Sequence, residues 1–115
     1  MEITVTTVKG SLPQQARVIA EEKVGRLERY FSGMERAEVR FFEEPTRQNS
    51  TRELCEVTMS GHGLVVRARG CGADPFAALE VAVNKLSHRL LRLKSRLVGR
   101  SHPRRAALGR VKLAR

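Results

Sequence analysis

The chain has 115 residues, 41% of them hydrophobic and only 4% aromatic, which suits one domain able to bury a core without disulfide or metal staples. No apolar run approaches the ~20 residues of a membrane span, the start at Glu2 lacks the pattern of a signal peptide, and Cys55 and Cys71 have neither metal-ligand spacing nor a disulfide-dense context. The formal net charge is +10, which points away from a protein of neutral surface and toward a polyanionic partner, nucleic acid or an anionic membrane surface.

Met1 to Val8 alternates, with Ile3 and Val5 on one face and Thr4 and Thr6 on the other, as a half-buried strand does. Ser11, Pro13 and Gln14 carry the marks of a helix start: a capping hydroxyl, a proline in the first turn and a capping-box partner. The helix is expected to run to about Phe31 and to stop at Ser32-Gly33. Ala37 to Glu43 is a second strand, and the polar stretch from Glu44 to Arg52, with Pro45, is a loop. Leu54 to Ser60 and Leu64 to Gly70 are two further strands, joined at Gly61-His62-Gly63 by a tight hairpin. Asp74-Pro75 caps and opens a second helix continuing to about Val98. The expected architecture is therefore α+β, ordered β-α-β-β-β-α. It has a four-stranded mixed sheet with both helices packed on one face, and its first two strands are parallel across a right-handed crossover. Residues 1–98 form the domain and 99–115 a basic tail, disordered when free.

Charge is segregated along this plan. Residues 1–75 hold 11 Lys+Arg and 11 Asp+Glu, while residues 76–115 hold 11 Lys+Arg and one acid, Glu80. In the second helix Leu79, Val83, Leu86, Leu90, Leu93 and Leu97 form one apolar seam. Lys85, Arg89, Arg92 and Arg96 recur with the same spacing on one flank of that seam, over roughly 16 Å. His88 lies at the margin of the stripe and Lys94 on the opposite flank. Like charges at these steps repel, so the stripe calls for an anionic partner. Arginine in particular grips phosphate with paired donors. The competing reading is a border of long side chains snorkelling around the core. A weaker version runs along the first helix, where Ala16, Ala20, Val24, Leu27 and Phe31 face the core and Lys23, Arg26 and Arg29 advance along one flank. Pairing with Glu22 explains that pattern equally well.

His62, His88 and His102 have no ligand spacing to one another or to the cysteines, so no metal site is expected. There is no glycine-rich phosphate loop, no recognisable catalytic set and no sign of a cofactor or small-molecule substrate. Phe31, Phe41, Phe42, Phe76 and Tyr30 read as core or half-core residues, not as a stacking platform for bases. Contacts to the RNA backbone and to RNA shape fit better than base reading.

Three stretches carry a family resemblance: Glu22-Lys23-Val24-Gly25-Arg26-Leu27-Glu28-Arg29-Tyr30-Phe31, Gly63-Leu64-Val65-Val66, and Asp74-Pro75-Phe76-Ala77-Ala78-Leu79 running on to Asn84-Lys85-Leu86. Over about residues 1–97 the chain resembles the ribosome hibernation-promoting factors, also called ribosome-associated inhibitors. The resemblance implies a β-α-β-β-β-α domain that binds the small ribosomal subunit and its rRNA in the decoding cleft. There it would exclude messenger and transfer RNA as a non-enzymatic, cytoplasmic inhibitor, monomeric off the ribosome and acting in idle or stressed cells. The family's basic positions correspond to Lys23, Arg26, Arg29, Lys85, Arg92 and Arg96. His88, Arg89 and, in the tail, Arg100, Arg104 and Arg105 complete the expected RNA contacts. Phe76 stands where the family often has Tyr, and Ser87-His88 where it has an acid followed by Arg, which moves positive charge to Arg89. The chain lacks the second domain with which long members pair ribosomes, so a short form acting on single ribosomes is expected. Two other readings stay open: a general structured-RNA-binding domain, and a protein-interaction module that modulates transcription.

Overall fold

The computed structural model describes residues 1–8, 12–46 and 51–101, with side chains at all of these except Thr51 and 97–101. Four strands, β1 (Glu2–Thr7), β2 (Arg36–Pro45), β3 (Thr51–Gly61) and β4 (Leu64–Gly72), form one sheet in the order β1-β2-β3-β4. β1 runs parallel to β2, and the other neighbours are antiparallel. Helix α1 spans Gln14–Gly25 and helix α2 spans Pro75–Ser101. Both pack on one face of the sheet, as the expected α+β order requires.

Period two decides which face each strand residue takes. Ala37, Val39 and Phe41 of β2 lie opposite Met59, Val57 and Cys55 of β3, and Val57 lies opposite Ala68 of β4. All seven are buried, together with Ala20, Val24 and Leu27 from the first helical segment and Leu79, Leu86 and Leu90 from α2. The leucine seam is thus the core face of α2; Val83 and Leu93 are half-buried at its rim, and Leu97 lies outside the described side chains. Burial and the neighbouring Glu56 carboxylate push the Cys55 thiol up to about 12.

The hairpin between β3 and β4 has a two-residue loop. Gly61 pairs with Leu64, and His62 and Gly63 both take positive φ, 52° and 76°. Positive φ at both positions is the turn that matches the natural twist of the strands, and glycine at the second adopts it without strain. At the start of α2 the Asp74 carboxylate accepts the Ala77 backbone N–H at 2.8 Å, as the Asp-Pro signal implies.

Four local expectations need correction. The first α-helix stops at Gly25 and tightens into a 3-10 turn over Arg26–Arg29 instead of continuing to Phe31. Its N-cap is Pro13, which has no side chain to accept a hydrogen bond; Ser11 lies outside the described residues. The expected loop from Glu44 to Arg52 is shorter at both ends, because the β2–β3 ladder continues through Glu44↔Arg52 and Pro45↔Thr51. In addition, α2 is helical to Ser101, three residues past its expected end.

Candidate nucleic-acid interface

The site begins with small residues. Gly70 and Gly72 of β4 meet Ala77, Ala78 and Ala82 of α2. A Cβ on Gly70 would lie 2.5 Å from both the Ala78 carbonyl oxygen and the Ala82 nitrogen. Helix and strand therefore approach at backbone distance, and α2 is held close beside the open edge of β4.

That approach decides where the cationic flank of α2 goes. Lys85 Nζ donates to the Arg69 carbonyl oxygen at 3.2 Å, and the Arg89 guanidinium donates to the Arg67 carbonyl oxygen. Four helical residues rise ~6 Å and two strand residues ~6.7 Å, so the antiparallel helix and strand stay in step over this stretch. The two cations cap carbonyls of an edge strand that would otherwise face solvent. Arg17 of α1 does the same at the opposite edge, donating to the Val5 carbonyl oxygen at 2.9 Å. Half of the α2 stripe thus has a structural task that its spacing did not reveal, a form of edge protection.

These contacts do not neutralise charge. Among the described residues no carboxylate lies within ion-pairing distance of Lys85, Arg89, Arg92 or Arg96, and all four are exposed, as is His88. The acid best placed in sequence to compensate, Glu80, is taken by Lys23 of α1, whose Nζ stands 2.9 Å from Glu80 Oε1. Glu80 and Arg89 are nine residues apart, ~180° around the helix, so Lys23 meets α2 on the flank away from the cationic stripe. Arg26 and Arg29 lie in the 3-10 turn, where residues three apart eclipse, and both are exposed. The structure therefore gathers Lys85, Arg89, Arg92 and Arg96 on one flank and sets the Lys23, Arg26 and Arg29 group apart. For Arg100 only the backbone is described, and Arg104 and Arg105 lie outside the described residues.

Sequence reasoning missed the arginines of the strands. Arg67 and Arg69 alternate out of β4 onto the helix-free face. With Arg52, Lys85 and Arg89 they line an open cleft of about 540 Å³ that wraps the β4 edge. Glu56, nearly buried on that face, accepts from both Arg40 at 3.4 Å and Arg69 at 3.3 Å. The Phe42 ring lies beneath the same two guanidinium groups, 5.8 and 5.0 Å from its centroid. Phe42 is half-buried as expected, though on the helix-free face, whereas Phe76 is exposed. The period-two signal Val65-Arg67-Arg69-Cys71 was available in the sequence; what hid it was the strength of the helical stripe. The Glu53 carboxylate, whose pKa is raised by desolvation and by neighbouring Glu43 and Asp74, stands on the opposite face of the sheet from Arg67 and Arg69.

Fold and charge together define a class: a two-layer α+β domain whose long second helix lays an uncompensated cationic flank along a sheet edge. Residues 3–98 match the family described as Sigma 54 modulation protein / S30EA ribosomal protein, and the chain belongs to that family. It is 37% identical over 86 residues to a ribosome hibernation promotion factor of Mycobacterium tuberculosis, covering 74% of this chain and 39% of the relative. It is 34% identical over 80 residues to the protein of the same name from Deinococcus radiodurans, covering 70% of this chain and 42% of the relative. This chain thus spans about two-fifths of the length of these relatives. The crystal structure of the Thermus thermophilus Protein Y N-terminal domain superposes with a TM-score of 0.67 at 26% identity, over 81% of this chain and 99% of that domain. The resemblance read from the three sequence stretches is borne out. Among the described residues no helix is long and apolar enough to cross a membrane.

Proposed function

We propose that this domain binds the small ribosomal subunit through its rRNA, occupying the decoding cleft and promoting ribosome hibernation by steric occlusion, without enzymatic chemistry and in the cytoplasm. The names of the curated relatives support the ribosome as target over a transcriptional partner. The observation that carries the reading is the flank of α2: Arg92 and Arg96 are exposed, aligned with Lys85 and Arg89, and without a carboxylate among the described residues. Guanidinium groups in such a row form charge-assisted hydrogen bonds to phosphate oxygens, and those contacts give position without base sequence. Lys23, Arg26 and Arg29 form a second, smaller contact group in this reading.

Arg89 caps β4, so its replacement mixes stability with binding. Arg92→Glu with Arg96→Glu leaves that cap in place. Sedimented through a gradient with purified subunits, the double variant is expected to be lost from the small subunit while keeping the wild-type melting temperature. Co-sedimentation at the wild-type level would remove the reading. Competition of wild-type binding by bulk double-stranded RNA would replace it with general recognition of A-form shape.

A further inference from the structure

We infer that the RNA-binding surface does not end at the helical stripe but turns around the β4 edge, where Arg67, Lys85 and Arg89 form a composite seat for a backbone phosphate of RNA. The inference rests on the proposed ribosome reading and adds to it a residue from the helix-free face of the sheet.

Three observations converge on this place. The first is shared geometry: Arg67, Lys85 and Arg89 line one cleft, although Arg67 emerges from the sheet face opposite the helices. The bonds from Lys85 and Arg89 to the Arg69 and Arg67 carbonyls hold the helical cations at the β4 edge, beside the backbone that carries the strand's own arginines. The second is unspent donor capacity. An ammonium has three donors and a guanidinium five. Lys85 and Arg89 each give one bond to a carbonyl, and Arg67 gives its Nε–H to Thr58 Oγ1 at 3.2 Å. Among the described residues no acceptor engages the terminal nitrogens of Arg67.

The third observation is the balance of charge. Of the acids in the cleft, Glu44 pairs with Arg52 at 3.1 Å, and Glu56 is shared between Arg40 and Arg69. Neither pairs with Arg67, Lys85 or Arg89, so all three line the cleft without a counterion among the described residues. Low-lying carbonyls hold two of these side chains in place, which lessens the ordering they would lose on binding. The neighbouring Arg69, clamped between Glu56 and the Phe42 ring, serves as a wall and not as a donor. A phosphate diester meets these requirements: a small, hydrated, multidentate anion that tolerates an open cleft.

The experiment is a salt titration of binding to purified small ribosomal subunits, comparing the wild-type protein with Arg67→Gln, Arg67→Lys and the Arg92→Gln, Arg96→Gln pair. Removing one phosphate contact lowers the steepness of log K against log salt by about 0.7–0.9. Arg67→Gln is expected to show this decrease, with weaker binding at low salt and an unchanged melting temperature, and Arg67→Lys to restore the slope. If Arg67→Gln keeps the wild-type slope while the Arg92, Arg96 pair flattens it, RNA does not turn the edge; the inference falls and the ribosome reading survives. If Arg67→Gln weakens binding without altering the slope, the contact is not to a phosphate and the inference falls as well. If wild-type binding is absent or insensitive to salt, the ribosome reading itself fails and takes this one with it.

Discussion

A single hydrogen atom in place of a methyl group governs where the cations lie. With the Ala78 oxygen and Ala82 nitrogen each 2.5 Å from the position its Cβ would occupy and the Val81 Cβ at 2.8 Å, Gly70 is a point at which α2 touches β4, and the two closest colliding atoms are backbone. An alanine there cannot be relieved by a rotamer change, so the helix must lift from the strand. Gly70→Ala is expected to destabilise the domain by about 1–3 kcal/mol, the usual cost of overpacking, seen as a lower urea midpoint with an unchanged m-value. The lift also draws Lys85 away from the Arg69 carbonyl. A midpoint equal to wild type would show that the contact is looser than its geometry implies. Nothing in the local sequence marks Gly70 for this role. Glycine after an alternating strand reads as a strand end, and only the helix passing over it gives it another meaning.

Elements were legible in the sequence where a signal is local, and were misjudged where a partner decides. The Asp74-Pro75 start and the His62-Gly63 turn depend on side chains and dihedrals within a few residues, and both stand as read. The β2–β3 ladder persists through Glu44 and Arg52 because they face each other and pair at 3.1 Å, a cross-strand gain that local composition conceals. α1 tightens at Gly25, whose helix propensity is poor, and a 3-10 turn is a common way to finish a helix. The stripe on α2 was correctly placed on one flank, yet its spacing could not separate edge protection from ligand binding, since that depends on which strand lies beneath. The edge role carries its own consequence. Lys85→Met with Arg89→Met frees the Arg67 and Arg69 carbonyls to water, so stability should change by less than about 1 kcal/mol. A flat, uncapped and less charged edge strand invites pairing with another chain. Sedimentation velocity across a concentration series is expected to show self-association in the double variant and none in the wild type; monomeric behaviour of both would mean the caps do not guard the edge.

On the scale of the whole molecule, two long-range facts build one asymmetric body. Residues 1–75 are neutral and supply the sheet, whereas residues 76–115 supply the entire charge excess of +10. Arg67 stands three residues from the start of β4, a span of ~10 Å. Arg89 stands twelve from the end of α2, ~18 Å. Because Arg89 binds the Arg67 carbonyl, the helix extends ~8 Å beyond β4; Arg96, seven residues on from Arg89 (~10 Å), is level with the strand's start, and the backbone of Arg100 lies past it. The core cluster, by contrast, draws its last buried member from Leu90. Past Leu90 the described residues add charge but no further member of that core cluster, so there the two can be removed separately. Residues 102–115, which lie outside the described residues, contain Arg104, Arg105, Arg110, Lys112 and Arg115. Deleting them is expected to leave the melting temperature within about a degree of wild type, while affinity for small subunits falls and its salt dependence flattens in proportion to the number of phosphates no longer neutralised. Calorimetry on the truncated and full chains, paired with the same subunit titration, checks both halves. A large drop in melting temperature would show that the segment packs on the domain, and an unchanged salt slope would show that its cations do not reach RNA.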